Sequence, residues 1–409
     1  MTPFLQLAMA LALIITAAKI GGYLSFRIGQ PAVLGELFVG ILLGPSVLDI
    51  LSMSYFTDQH LPEVIHQMAE MGVLLLMFLA GLELHLSDLL HSGKVSTLAG
   101  TLGVILPLVL GTITGLLFAM DIQPAIFIGL ILSATSVSIS AQTLMELKVL
   151  RSRVGIGLLG AAVFDDILVL LGLAIFTALT QPASNAGILG IVWIVVKMAL
   201  FLGVASFIGW WAFPKLNRRI DGLPVSQGLI AFIFVTILLY GWLAETIGQM
   251  AAITGAFLAG LWFSRTPEKE HIRSSIGTIA YGIFVPIFFI NIGLSANARE
   301  LTWNSGLLML VMFFMAVIGK VFGSGSGALL GGLTPRESLQ LGVGMISRGE
   351  VGLIIAAVGI KEGLLHQSDF SAVVGVVILT TVLTPLLLRS LFPKIKAAHP
   401  KAQKTLEGA

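Results

Sequence analysis

The sequence predicts an all-α membrane protein with about thirteen transmembrane helices. Of its 409 residues, 56% are hydrophobic and only 11% are charged, and the mean hydropathy is +1.00. A soluble globular chain carries about 25% charged residues because its surface faces water. Most of the outside of this protein must therefore face lipid, which excludes an ordinary soluble enzyme.

The apolar segments are long and continuous, whereas the strands of an outer-membrane barrel alternate in polarity over about ten residues. Helices are expected instead, since about 20 apolar residues cross the hydrocarbon core. The first segment has no basic residue ahead of it and is interpreted as a retained helix rather than a cleaved signal peptide. The predicted spans are 3–24, 33–51, 66–86, 95–119, 123–146, 155–180, 186–214, 223–246, 248–264, 275–295, 303–331, 335–360 and 368–393.

Most of the 23 lysines and arginines fall in alternate connections between these spans and in the C-terminal tail. The other connections hold only Arg299 and Lys361. Basic residues accumulate in cytoplasmic loops, so the N-terminus is predicted outside and the C-terminus inside. The basic residues that lie within spans and away from the span ends are Lys197, Lys320 and Arg348.

Short similarities between the two halves of the chain indicate an internal repeat in a single transporter unit, 1–409. Copying a unit with an odd number of helices inverts its topology, as in many secondary transporters. The matched positions are Ser136 with Ser347, Gly81 with Gly293, and Gly35 with Gly255. The predicted parts are a first inverted five-helix repeat at 30–180, linking helices at 181–244, a second repeat at 245–395 and a short cytoplasmic tail at 396–409.

Charged side chains near the middle of predicted spans are the most informative feature of the sequence. Each costs about 2.5 to 3.5 kcal/mol at mid-bilayer on insertion scales. Asp165 and Asp166 lie in the sixth span, at the depth of the bilayer midplane for a rise of 1.5 Å per residue. Lys320 lies near the middle of the eleventh span, and Arg348 and Glu350 near the middle of the twelfth. All five residues are expected in one layer.

Two adjacent carboxylates in a site of low dielectric cannot both carry a charge easily, so the aspartate pair should bind protons or a hard monovalent cation. Protons and cations would compete for the same oxygens, which is the chemical basis of exchange. The structural alternative is a static ion-pair network with Lys320. One lysine can neutralise only one of the two aspartates, however, and packing leaves the second unexplained.

The segment 133–140 contains Thr135, Ser136 and three further serines at mid-membrane. Hydroxyl groups can satisfy backbone carbonyls where a helix is broken. The equivalent segment, 345–350, is also unfavourable to a helix. If both helices unwind where they cross, Arg348 and Glu350 could neutralise the half-helix ends that meet there. The alternative is that small hydroxyl residues only allow close helix packing.

Glu36 and Glu83 lie towards the cytoplasmic ends of their spans and are candidates for a funnel that concentrates cations, with interfacial solvation as the alternative. The chain has no cysteine, which excludes disulfides and thiolate metal sites. It has no phosphate-binding loop or dinucleotide fingerprint. A net charge of +2 gives no basic field for nucleic acid. No cofactor is therefore expected.

Several segments carry a family resemblance that extends over nearly the whole chain: GQPAVLGELFVGILLGPSVL, MFLAGLELHLSDL, SATSVSISAQTL, the FDD that includes Asp165 and Asp166, AVIGKVFG and SRGEVGLI. The chain resembles the monovalent cation:proton antiporter-2 family, especially its NapA-like sodium/proton antiporters. The resemblance implies an NhaA/NapA-like fold, in which a core domain with two crossed, discontinuous helices slides in an elevator-like motion past a dimerisation domain. It also implies a homodimer through the first and eighth helices.

The same resemblance assigns roles to individual residues. Asp166 matches the main cation and proton ligand, Asp165 matches the aspartate that pairs with Lys320, and Thr135, with the backbone and Ser136 beside it, would complete the site. The Asp-Asp form is linked by the resemblance to electrogenic exchange of two protons for one sodium ion. Potassium efflux relatives tend to have a Gln-Asp pair and a nucleotide-binding domain, which is not expected here because the chain stops shortly after its last predicted span.

Together these features predict a secondary transporter that exchanges Na⁺ or Li⁺ for protons in a prokaryotic inner membrane. Potassium/proton exchange and sodium-coupled symport remain open, because oxygen ligands alone do not separate these ions. A cation channel would conduct without a proton gradient. An ion sensor on the same scaffold would bind ions without turnover.

Overall fold

The computed structural model describes residues 2–28, 30–84, 92–180, 188–221, 226–295, 299 and 302–392. Regular structure within these ranges is entirely helical. Ten helical segments among them are long and apolar enough to cross a membrane, which confirms the predicted all-α, multi-pass class. The predicted tail at 396–409 lies outside the described residues.

The first part of the chain forms α1 Pro3–Arg27, α2 Ala32–Leu43, α3 Leu61–Glu83, α4 Gly93–Leu117, α5 Ile122–Ser133, α6 Val137–Glu146, α7 Arg153–Thr180, α8 Ile188–Trp211 and α9 Phe213–Asp221. The second part forms α10 Gly228–Thr246, α11 Ala252–Phe263, α12 Lys269–Ile279, α13 Val285–Leu294, α14 Trp303–Leu330, α15 Pro335–Gly344, α16 Glu350–Lys361 and α17 Gln367–Leu391. A π-helical turn, Ala280–Phe284, joins α12 to α13, and a 3₁₀ turn lies at Ile50–Ser52.

Two helix starts follow directly from local sequence. The Thr334 hydroxyl accepts a hydrogen bond from the backbone of Glu337, whose carboxylate accepts one from the backbone of Thr334. Thr302 and Ser305 form the same reciprocal arrangement at the start of α14. Each capping box satisfies two backbone donors that a helix start would otherwise leave unpaired.

The predicted span at 33–51 is longer than the helix found there, because α2 ends at Leu43. Gly44 precedes Pro45, and a residue before proline is disfavoured in the helical region. The spans predicted at 248–264 and 335–360 also contain shorter apolar helices. The total of thirteen crossings and the orientation of the termini therefore stay predictions.

The helices pack as two groups. The first, called the core group here, contains α4–α7 and α14–α17; within it, α4 packs extensively against α5, α7 and α14. The second, the scaffold group, contains α1–α3 and α10–α13, and its most extensive packing is between α3 and α11. Helix α8 contacts both α7 and α11. Packing within each group is more extensive than packing between them.

Glycines matched by the predicted repeat make equivalent close approaches in the two halves. Gly35 on α2 lies against the backbone carbonyl of Gly21 on α1, and Gly255 on α11 lies against that of Tyr240 on α10. A side chain at either glycine would collide with backbone. Similarly, Gly81 brings α3 onto α11, and Gly293 brings α13 onto α2. The inverted repeat and its bounds stay a prediction.

Candidate ion-binding site

Two transmembrane helices are interrupted in the segments where the sequence predicts a break. Helix α5 ends at Ser133, and Ala134 and Ser136 adopt extended conformations before α6 begins at Val137. Helix α15 ends at Gly344, and the chain resumes helical structure only at Glu350. The two interruptions, 134–136 and 345–349, meet inside the core group.

The interrupted segments satisfy each other's backbone groups. The Ser136 amide donates to the Ser347 carbonyl at 2.9 Å, and the Ser347 hydroxyl donates to the Ser136 carbonyl at 2.6 Å. The Ser140 hydroxyl donates to the carbonyl of Gly344, at the end of α15. Gly349 faces Ser136 so closely that an added Cβ would lie 2.5 Å from the Ser136 Cβ. Buried serine hydroxyls thus replace the hydrogen bonds that continuous helices would have made.

Arg348 lies in the interruption between α15 and α16 and is 1% exposed. Its Nη1 donates to the carbonyls of Met345 and Ile346, at 3.3 and 3.2 Å, and its Nη2 donates to that of Ala316 at 3.5 Å. A cation is favourable at a helix C-terminus because carbonyl dipoles point towards it. The guanidinium thus lies just beyond the C-terminal end of α15, and its role in neutralising the half-helix ends stays a prediction. Glu350 begins α16, but its side chain lies outside the described part of the structure.

Asp165 on α7 forms an ion pair with Lys320 on α14, with 2.5 Å between Oδ1 and Nζ. Both side chains are completely buried. The Thr135 hydroxyl lies beside the Asp165 carboxylate, within reach of a hydrogen bond between the two side chains. Carboxylate and hydroxyl oxygens are ligands that hard cations prefer.

Asp166 faces a different environment from its neighbour. Its Oδ2 accepts a hydrogen bond from the Thr254 hydroxyl on α11 at 3.2 Å, and the residue is 6% exposed. A cavity of about 10 Å³, comparable to one water-sized probe, adjoins the carboxylate. The other residues that line this cavity are Met77, Val137, Leu159, Ala162, Val163, Ile253, Thr254 and Phe257.

A larger cavity of about 820 Å³, called the vestibule here, lies at the ends of α3, α6 and α12 that are predicted to be cytoplasmic. Glu83 lines it, but its carboxylate pairs with Arg151 at 2.7 Å and Arg273 at 2.5 Å. Glu36 is buried on α2 and is not among the residues that line the vestibule. The structure therefore does not bring the two proposed funnel residues to the same surface.

Two further polar residues were missed by the sequence reasoning. Glu146 lines the vestibule and accepts hydrogen bonds from the Ala32 and Val33 amides, at 2.6 and 3.3 Å, which caps α2. Thr254 contacts Asp166 directly. Glu146 lies at the end of a predicted span, and Thr254 is the hydroxyl nearest the middle of the span at 248–264. Neither position alone distinguishes a site residue from an ordinary polar one.

Within the described ranges, no group of three or more histidine, aspartate or glutamate side chains could hold a resident metal ion. The oxygens of Asp165, Asp166 and Thr135 are of the kind that hard cations prefer as ligands.

Comparison with known proteins shows the family to which the chain belongs. The model of the family described as "Sodium/hydrogen exchanger, transmembrane" matches residues 12–393. The chain is 40% identical over 395 residues to the Na(+)/H(+)-K(+) antiporter GerN of Bacillus cereus, covering 96% of this chain and 97% of that one. It is 35% identical over 387 residues to the Na(+)/H(+) antiporter of Enterococcus hirae, covering 95% and 98%.

A solved structure shares the fold. The sodium proton antiporter MjNhaP1 of Methanocaldococcus jannaschii matches with a TM-score of 0.68 over 95% of this chain and 97% of that chain. The sequence identity is 15%, so this likeness supports the architecture alone.

Proposed function

Because the chain belongs to the sodium/hydrogen exchanger family, we propose that it exchanges sodium or lithium ions for protons at Asp166. Its relatives are transporters rather than enzymes, and the chain is a cation:proton antiporter of a prokaryotic membrane that it crosses several times. Potassium/proton exchange is the second candidate, because the name of the GerN relative includes K(+).

The observation that carries this proposal is the position of Asp166 at the boundary between the two helix groups, beside a cavity of about 10 Å³. Lys320 contacts Asp165, and the Arg348 guanidinium hydrogen-bonds to backbone carbonyls. Asp166 has a neutral hydroxyl donor in Thr254. A proton and a monovalent cation would compete for the Asp166 carboxylate, and the two would exclude each other there. Competition for one carboxylate couples the two fluxes without any cofactor.

We assign the ligand roles as follows. Asp166 binds the cation or the proton, and Asp165 Oδ2, Thr135 Oγ1 and the backbone around Ser136 supply further oxygens. Arg348, with Glu350, compensates the half-helix ends at the crossing. The support for this assignment is the proximity of the Thr135 hydroxyl to the buried Asp165 carboxylate.

Electrogenic exchange is part of the proposal. Asp166 and the Asp165–Lys320 pair are two titratable units, so two protons can move against one cation, and one net charge then crosses the membrane in each cycle. The fully buried Asp165–Lys320 contact supports this reading, because separating that pair without protonating or deprotonating it would leave unpaired charge in a low dielectric.

Alternating access is proposed to occur by an elevator-like movement of the core group against the scaffold group. The supporting observation is that Asp165, Asp166, Lys320 and both interrupted helices belong to the core group, which packs more extensively within itself than against its neighbours. The proposal includes a homodimer that forms through α1 and α10, the first and eighth predicted spans.

The test uses proteoliposomes with an internal pH dye and a clamped membrane potential, to which sodium, lithium or potassium is added in turn. Sodium- or lithium-driven proton flux that responds to the potential and is lost in Asp166→Asn supports the proposal. The matched control is Asp121→Asn, because Asp121 is exposed and remote from the pair in the predicted topology. Proton flux driven by potassium alone would support potassium/proton exchange. Proton flux that does not change with the membrane potential would support electroneutral exchange. Full exchange by Asp166→Asn contradicts the assigned site.

A further inference from the structure

Thr254 and Asp166 belong to opposite helix groups. Thr254 lies on α11 of the scaffold group, whereas Asp166 lies on α7 of the core group. Thr254 is 4% exposed, so water competes little for the hydrogen bond. The small cavity beside them is lined from both sides, by Met77 and Phe257 of the scaffold group and by Ala162 of the core group, among others. The carboxylate proposed to carry the cation is thus held partly by the helix group past which it would move.

The position of Thr254 within its helix explains why its hydroxyl is available. Threonines inside a helix usually donate to the carbonyl one turn earlier. Thr236 on α10 does so, with its hydroxyl 2.8 Å from the Phe232 carbonyl. Thr254 lies in the first turn of α11, which begins at Ala252, so no intrahelical carbonyl precedes it by four residues. Its hydroxyl can therefore donate outside the helix, and it donates to Asp166.

We propose that Thr254 is a positioning residue of the transport site, which orients the Asp166 carboxylate for the cation in this conformation only. The inference rests on the proposed function. A fixed donor at Oδ2 restricts rotation of the carboxylate and so holds it in one orientation towards the ion. When the core group slides against the scaffold group, Asp166 moves away from α11 and this hydrogen bond is lost. The cation therefore meets a differently supported carboxylate on each face of the membrane.

Three variants distinguish a positioning role of Thr254 from a contribution to helix packing alone. Thr254→Val keeps the shape and removes the donor, Thr254→Ser keeps the donor, and Thr236→Val removes a buried hydroxyl from the neighbouring helix without touching Asp166. The sodium KM and maximal rate of proton flux are measured in oriented proteoliposomes, with sodium added to either face. Sodium-dependent thermal stabilisation of the purified protein reports binding without transport.

We expect Thr254→Val to raise the sodium KM about tenfold on one face, since hydrogen bonds to charged groups are among the strong ones. The KM on the other face and the maximal rate should change much less. Thr254→Ser should restore the KM, and Thr236→Val should match the wild type. If Thr254→Val does not fold, Thr254→Ala also lacks the donor and replaces it.

Equal KM changes on both faces, an unchanged KM in Thr254→Val, or failure of Thr254→Ser to restore it would each overturn the inference. Failure of the proposed function gives a different result, in which the wild type itself shows no cation-driven proton flux. Sodium-dependent stabilisation still tests the Asp166–Thr254 contact in that case, because loss of stabilisation in Thr254→Val alone would support it and equal stabilisation would contradict it.

Discussion

Asp165 and Asp166 are neighbours on one helix, but they face two different regions of the molecule. Successive residues of an α-helix point about 100° apart. Asp165 therefore faces α14 inside the core group, where Lys320 pairs with it. Asp166 faces α11 across the boundary between the groups, where it meets a threonine and an apolar cavity. On this basis we propose that Asp165 serves charge compensation and that Asp166, at the boundary between the groups, exchanges its ligand.

The largest expected effect distinguishes the two aspartates by transport. Asp166→Asn should lose cation-driven proton flux, because no carboxylate remains at the boundary. Asp165→Asn should keep sodium-driven flux but lose most of its dependence on membrane potential, because the Asp165–Lys320 pair no longer carries the second proton. Flux at several clamped potentials measures both. Equal loss in the two variants would remove the distinction.

The second-largest expected effect distinguishes Asp165 from Asp166 by the stability of the protein. Lys320→Met should lower the free energy of unfolding by about 3 to 5 kcal/mol, because it leaves Asp165 as an unpaired buried charge. The double variant with Asp165→Asn should recover much of that loss, whereas the double variant with Asp166→Asn should not. Apparent melting temperature in detergent is the measurement, and Lys197→Met, at a partly exposed lysine near Trp193, is the control.

A third prediction concerns the crossing that supports the pair. Gly349→Ala should destabilise the protein by about 1 to 3 kcal/mol and reduce transport, because the new Cβ overlaps Ser136 in a well-packed site. Gly352→Ala, three residues further on, meets only the Ile131 carbonyl at 3.8 Å and should be tolerated. Thermal denaturation and flux are compared for both. Equal behaviour of the two variants would mean that the close approach at Gly349 is not required.

The smallest expected effect is at the vestibule. Glu83→Gln should change the sodium KM by less than about twofold, because two arginines already neutralise this carboxylate and partly exposed ion pairs contribute little. KM measured at low and at high ionic strength provides the check. A several-fold rise in KM that disappears in high salt would instead support the funnel role predicted for Glu83.

The depth of the charged residues in the membrane could be predicted from the sequence. Because a helix rises 1.5 Å per residue, counting from the span ends places Asp165, Lys320 and Arg348 in one layer. The structure brings the first two into contact and places Arg348 at a helix break beside them. Hydroxyl-rich and glycine-containing segments likewise marked both interruptions, since buried backbone groups there need other partners.

The sequence did not predict how each helix is rotated about its axis or which residues of the two helix groups contact each other. The apolar composition and the mid-membrane charges established the class of protein and the layer of the site, because both depend on residue type and position along the chain. The pairing of Thr254 with Asp166, the capping of α2 by Glu146 and the neutralisation of Glu83 depend on which faces meet. Those contacts are made between residues far apart in sequence, and the packing of helices within and between the two groups brings them together.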